Sequence, residues 1–302
     1  MLRSVATFFH GRNAFYVSLL LLPPLLWLGT VYLGSLFALL MQSFYAIDEF
    51  TARIVPEFTL ATYRQLVTHP ANVDIVARTL AMAVAVTIAC GIVAFPVANY
   101  MARYAGPKMK AFFYVGVMPP MWTSYLVKVY AWRLILAKQG IVSWGFTSLG
   151  AQGALDGVLA TPVVGGPSLA SSYIGMFIVF VYMWLPFMIL PIQAAVERIP
   201  GSYIEASGDL GASPAMTFRR IILPLALPGI AAGSIFTFSL TLGDYIIPQV
   251  IGDSTLYIGQ VVYKQQGVAG NIPFAAAFSL VPIVVIGVYL WLAKRLGAFD
   301  AL

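Results

Sequence analysis

Charged residues fall in short clusters between long apolar runs, and those runs set the architecture. Uncharged stretches extend over residues 14–47, 79–102, 111–127, 157–196, 221–243 and 272–293. A spanning helix takes roughly 20 apolar residues, so the pattern predicts an all-α membrane protein with six transmembrane helices. The first run is too long for the apolar stretch of a cleaved signal and reads as a retained helix, kinked near Pro23 and Pro24. The third is followed by an amphipathic stretch holding Lys128 and Arg133. The fourth opens rich in Gly, Pro and Ser and becomes solidly apolar from about Tyr173.

Lys and Arg set the expected orientation. With a cytoplasmic N-terminus, inside segments hold Arg3, Arg12, Arg103, Lys108, Lys110, Arg198, Arg219, Arg220, Lys294 and Arg295. Outside segments hold Arg53, Arg64, Arg78, Lys138 and Lys264. Cytoplasmic loops carry the excess of Lys and Arg, so both termini are expected inside. Lys128 and Arg133 are then expected at the outer end of span three, snorkelling to headgroups or holding an extracytoplasmic partner. The larger loops, about 48–78 and 138–172, are expected outside.

Composition agrees. Of 302 residues 60% are hydrophobic and 9% charged, against roughly 25% charged in soluble domains. The net charge of +6 is scattered between apolar runs, which fits membrane topology and argues against nucleic acid. One cysteine, Cys90, and two histidines, His10 and His69, exclude an internal disulfide and a zinc site. No G-x-x-x-x-G-K-[ST] occurs, so the chain has no phosphate-cradling loop of its own.

The segment between spans four and five, RIPGSYIEASGDLGASPAMTFRRIILPLALP (198–228), is unusually well built for a loop. Pro200-Gly201 reads as a turn. Ser202 and Glu205 have capping-box spacing for a short helix. Gly211 suits a left-handed C-terminal position, and Ser213-Pro214 reads as a second cap. A compact helix–turn–helix on the cytoplasmic face is expected, locally explicable as caps alone or as a rigid contact for another protein.

Glu205-Ala206-Ser207, Gly211, Ile221, Leu223 and Pro224 resemble the E-A-A-x3-G-x9-I-x-L-P motif of binding-protein-dependent ABC import permeases, with Ser207 in place of the second alanine. Met118 to Trp132 with Lys138-Gln139-Gly140, and Leu242-Gly243-Asp244-Tyr245-Ile246-Ile247-Pro248, resemble the spermidine/putrescine permeases. The C-terminal Lys294 to Leu302 is similar to their YdcU-type branch. The resemblance implies a type I importer permease in the bacterial inner membrane, with a 1–75 N-terminal segment, a 76–296 transmembrane domain and a 297–302 tail. It implies two ATPase subunits seated on loop 198–228, a second permease, commonly a different chain, and an extracytoplasmic substrate-binding protein. ATP and Mg would be used by the ATPases, with no cofactor on this chain and alternating access as the mechanism. A small cationic solute such as putrescine or spermidine is implied. Related permeases import opines, phosphonates or ferric iron.

Span five carries Ser234, Thr237, Thr241 and Asp244 at spacings of 3, 4 and 3, within about 80° of one another on a helix. Such a face looks toward protein or water. It either lines a pathway or is packing whose hydroxyls bond their own backbone. Gly229 and Gly233 just before it allow close helix contact. Trp122, Tyr125, Trp132, Tyr182, Trp184 and Tyr245 are either interfacial anchors or ring faces for an organic ammonium group. The pathway set is Asp244, Tyr245, Thr241, Thr237, Trp122, Tyr182 and Trp184. A stand-alone channel or secondary transporter would leave the loop around Glu205 dispensable. An intramembrane enzyme would need a catalytic cluster, and Asp244 alone does not make one.

Overall fold

A computed structural model describes residues 13–48, 51 and 53–295. Arg3, His10, Arg12 and the 296–302 end of the C-terminal motif, with the predicted tail, lie outside them.

The first apolar run is one rod, largely exposed over residues 17–38: α1 (Asn13–Trp27), a π turn (Leu28–Leu33) and α2 (Gly34–Gln42). Pro23 and Pro24 lie inside α1, ahead of the widened turn. A two-stranded antiparallel hairpin follows, β1 (Tyr45–Ile47) with β2 (Ile54–Phe58), then α3 (Ala61–Thr68). The second span is α4 (Pro70–Arg103).

The third run is not one helix. It divides into α5 (Pro107–Val117), a single turn α6 (Pro119–Trp122) and α7 (Tyr125–Ile135). Pro119 and Pro120 supply no N–H to the preceding turn, and their rings crowd the carbonyls four residues back. Lys128 is drawn back along the chain. Its Nζ donates to the Pro120 carbonyl at 2.5 Å, inside the break.

Two short helices, α8 (Ile141–Ser148) and α9 (Gln152–Leu159), fill the 138–172 loop. The fourth span, α10 (Tyr173–Glu197), starts at Ser172, whose Oγ accepts from the Gly175 N–H. Then come α11 (Gly201–Asp209), α12 (Pro214–Thr217), a π turn (Phe218–Ile222), α13 (Leu223–Gly243), α14 (Ile246–Val250), α15 (Ile258–Gly267) and α16 (Ile272–Arg295). Among the described residues five helical segments are long and apolar enough to cross a membrane, namely 17–42, 70–103, 173–197, 214–243 and 272–295. The α5–α6–α7 run is a broken sixth candidate.

The core is formed by α4, α10 and α13, which all pack on one another, α10 most closely with both. Apolar burial does not drive helices together in lipid, so close fit must. Small residues supply it on α4, where Ala83, Val86, Cys90, Ala94 and Ala98 form one buried stripe. On α13, a Cβ at Gly229 would stand 2.5 Å from both the Ala195 Cβ and the Pro191 carbonyl, and one at Gly233 would stand 2.7 Å from Met188 Sδ. Both glycines are therefore required where α13 crosses α10.

Candidate functional site

Two regions stand out, one where two helix breaks meet and one on the loop between α10 and α13.

At the first, α13 ends at Gly243 and Asp244 turns extended before α14 begins. The Asp244 Oδ1 accepts from the Ile246 and Ile247 N–H groups at 2.8 and 3.0 Å, so the carboxylate caps α14. Its Oδ2 accepts from the Tyr125 hydroxyl at the start of α7. The break in span three thus meets the end of span five through one side-chain pair. Gly259 lets α15 close against this turn, since a Cβ there would stand 2.7 Å from the Asp244 carbonyl.

Asp244 is half-buried, at the wall of an open recess of about 340 Å3 shared with Tyr125, Trp184, Ser239 and Tyr245. Tyr125 stacks on Trp184 with ring centroids 6.0 Å apart and planes at 15°. Tyr245 stacks on Tyr263 at 4.9 Å and 10°, in a neighbouring recess that shares Gly243 and Tyr245. One carboxylate among aromatic walls suits an ammonium group. The acid supplies charge, and ring faces attract cations through their quadrupole. A carboxylate has about four acceptor positions, and three are taken.

The other expected pathway residues divide. Asp244, Tyr245 and Trp184 come together. Thr237 and Thr241 do not join them. Both are sealed in the packed helices, donating to the carbonyls of Gly233 at 2.9 Å and Thr237 at 2.7 Å. Ser234 pairs with the Tyr289 hydroxyl. The stripe on α13 is therefore packing apart from Asp244, because β-hydroxyls in an apolar helix satisfy themselves on the preceding turn. Trp122 stands 79% exposed and outside the recess. Tyr182 packs on Trp132 at 5.0 Å, also outside it. Sequence reasoning missed the role of Tyr125, and missed Ser239 and Tyr263. The Pro119-Pro120 pair six residues before Tyr125 was the available signal.

On the loop, Pro200 rather than Ser202 stands at the N-cap of α11, and no capping side chain bonds there. The extended Pro200 lets the helix begin at Gly201, so Ser202 falls within the first turn and the capping box is not formed. The C-terminal end is as expected. Gly211 has φ +76°, Gly211 N–H donates to the Gly208 carbonyl at 2.8 Å, and Ala212 N–H donates to the Ser207 carbonyl at 2.9 Å. This is the Schellman pattern. Ser213 caps α12, accepting from the Met216 N–H at 3.4 Å.

Ser207 is buried and its Oγ lies 2.8 Å from the Thr217 Oγ1, joining α11 to α12. Alanine at this position would leave that bond unmade. Glu205 and Ala206 are exposed, Leu210 is 88% exposed at the tip, and Ile221 and Leu223 are half-buried. Pro224 opens α13 beside a cleft of about 410 Å3 lined by Tyr203, Ala206, Leu210 and Arg220. The loop is a compact helix–turn–helix knob with Leu210 exposed at its tip.

The family model of the binding-protein-dependent transport system inner membrane component matches residues 2–298. The chain is 59% identical over 301 residues to the inner membrane ABC transporter permease protein YdcU of Escherichia coli (strain K12), covering 100% of this chain and 96% of that protein. It is 31% identical over 243 residues to the spermidine/putrescine transport system permease protein PotB of the same strain, covering 79% of this chain and 84% of PotB. A crystal structure of a bacterial ABC transporter involved in import of the acidic polysaccharide alginate shares the fold, with TM-score 0.72 at 14% identity over 97% of this chain and 99% of the other. The apolar helices, the knob-like loop and these likenesses make the chain a member of the binding-protein-dependent transport system inner membrane component family: a multi-pass inner-membrane permease of ABC importers.

Proposed function

We propose that the chain forms the translocation pathway for a polyamine-class organic cation, with Asp244 as the pathway carboxylate and Tyr125, Trp184 and Tyr245 as its aromatic wall. The observation that carries this is the Asp244 carboxylate at an aromatic recess where two helix breaks meet. Putrescine or spermidine fits the chemistry, and the PotB likeness points the same way. A carboxylate there disfavours an anionic phosphonate.

Loop 198–228 seats on a separate ATPase dimer, with Glu205, Ala206, Ser207, Gly211, Ile221, Leu223 and Pro224 holding its geometry. ATP and Mg act on that partner. A second permease, commonly a different chain, completes the pathway, and an extracytoplasmic binding protein delivers the solute. The α5–α6–α7 run makes the sixth crossing, both termini are cytoplasmic, and the 76–296 unit is the importer domain behind the 1–75 segment and before the 297–302 tail.

The test is uptake of labelled putrescine by proteoliposomes holding the complex purified on this chain, with its binding protein added. ATP-dependent uptake that unlabelled spermidine inhibits, and a phosphonate does not, supports the reading. Uptake unaffected by any polyamine overturns the substrate class. Failure of any ATPase to co-purify overturns the coupling.

A further inference from the structure

The cytoplasmic end of span three is joined to span four by polar side chains rather than by apolar packing. No residue of α5 is buried; Phe113, Tyr114 and Val117 only lean on the core. Yet its Tyr114 hydroxyl accepts from Gln193 Nε2 of α10 at 2.6 Å, and the same Nε2 donates to Glu197 Oε1 at 3.0 Å. Glu197 in turn pairs with Lys110 of α5. Gln193 is 2% exposed, so the centre of this group is dry. Nearby, the Arg103 guanidinium at the end of α4 donates to the Ile199 carbonyl at 2.8 Å.

These bonds sit at one strategic place. Glu197 is the last residue of α10, and α11 of the cytoplasmic loop starts at Gly201. Force on the loop therefore reaches Ile199 and Glu197 directly on the α10 side. From Lys110 and Tyr114 the chain runs along α5 into the Pro119 break and on to Tyr125, which holds Asp244. Gln193 Oε1 is buried with no partner. Its amide orientation is fixed, because turning it would set that oxygen against the Glu197 carboxylate. One buried acceptor is therefore left unused in this packing of α5 on α10.

We propose that Lys110, Tyr114, Gln193 and Glu197 form a transmission joint that carries movement of the cytoplasmic loop into span three and so to the Tyr125–Asp244 contact. This rests on the reading that the loop couples to an ATPase. The four are positioning residues and touch neither solute nor nucleotide.

The experiment uses the intact complex in proteoliposomes, comparing Tyr114→Phe, Lys110→Glu, Glu197→Lys and the double charge swap. It measures solute moved per ATP hydrolysed, alongside hydrolysis without solute. Lys110→Glu and Glu197→Lys should each lower the ratio about two- to fivefold, the size expected of a solvent-screened ion pair. Hydrolysis without solute should persist in each, and the swap should recover most of the ratio. Tyr114→Phe, which removes one oxygen and keeps the ring, should lower it about threefold and decides the matter where a charge variant fails to assemble. A coupled wild type with unaltered variants, or a swap that assembles yet recovers nothing, overturns the joint alone. A wild type with no solute-stimulated hydrolysis overturns the coupling reading beneath it.

Discussion

Asp244→Asn isolates charge from shape. In the native chain the carboxylate accepts three hydrogen bonds, two from the backbone of α14 and one from Tyr125. Asparagine keeps its oxygen on the Ile246 and Ile247 N–H groups. Its amide then faces Tyr125, whose hydroxyl switches from donor to acceptor and turns its own proton to the open recess. The change in fold stability should be a few tenths of a kcal/mol, the usual size of exchanging one good cap for another. Loss of charge is a larger matter. A carboxylate and an ammonium 4 Å apart attract by about 4 kcal/mol at an effective dielectric of 20. Desolvation consumes part of that, leaving about 1.5–3 kcal/mol for a charge-assisted hydrogen bond. Uptake efficiency for a dication should therefore fall about 10- to 100-fold. The assay is initial uptake of labelled putrescine at varied binding-protein concentration, with complex yield and thermal unfolding as controls. Uptake within twofold of wild type by an intact complex would refute the pathway role and leave Asp244 a helix cap.

Gly211→Val should uncouple the loop. A β-branched residue at φ +76° costs about 1–2 kcal/mol, and measurement of solute-stimulated ATP hydrolysis should show a severalfold loss with the chain still in the membrane. Gly229→Val inserts a branched side chain where even a Cβ meets two atoms at 2.5 Å. Overpacking of this kind costs about 1–3 kcal/mol, so the detergent-solubilised complex should melt several degrees lower, and an unchanged melting temperature would count against the α10–α13 contact. Reporter fusions after Arg103 and Arg220 should read cytoplasmic and those near Glu57 and Gln152 extracytoplasmic; an outside signal from 198–228 would remove the ATPase contact altogether.

The features legible in sequence were those fixed by neighbours along the chain. Runs ending at Arg103, Glu197, Gly243 and Arg295 became helices because lipid allows little else. The Schellman turn at Gly211 and the cap at Ser213 were legible because their partners lie within five residues. Ser202 misled because capping-box spacing says nothing about which residue the helix starts on, and Pro200 decided that. The third run misled because it is uncharged from 111 to 127, and hydropathy is blind to a break. Tyr125 and Asp244 are 119 positions apart, so no local pattern could pair them. The hydroxyl stripe on α13 had two readings of equal periodicity, and only the i−4 bonds of Thr237 and Thr241 separated them.

The breaks themselves argue for function. Non-helical backbone inside a membrane bundle leaves donors and acceptors that lipid cannot satisfy, so it persists only where protein or a water-filled cavity meets it. Here each break is met by dedicated side chains. Lys128 and the Thr123 hydroxyl serve the Pro120 carbonyl, and Asp244 serves the first N–H groups of α14. The two breaks face each other, joined by one tyrosine–carboxylate bond, at the edge of an open recess. The backbone is unwound beside a polar, aromatic-walled recess, as the proposed pathway for an organic cation requires. Two residues, Asp244 and Tyr125, are common to the breaks, the bond and the recess, so losing the Tyr125 hydroxyl should disturb the recess without unfolding either helix.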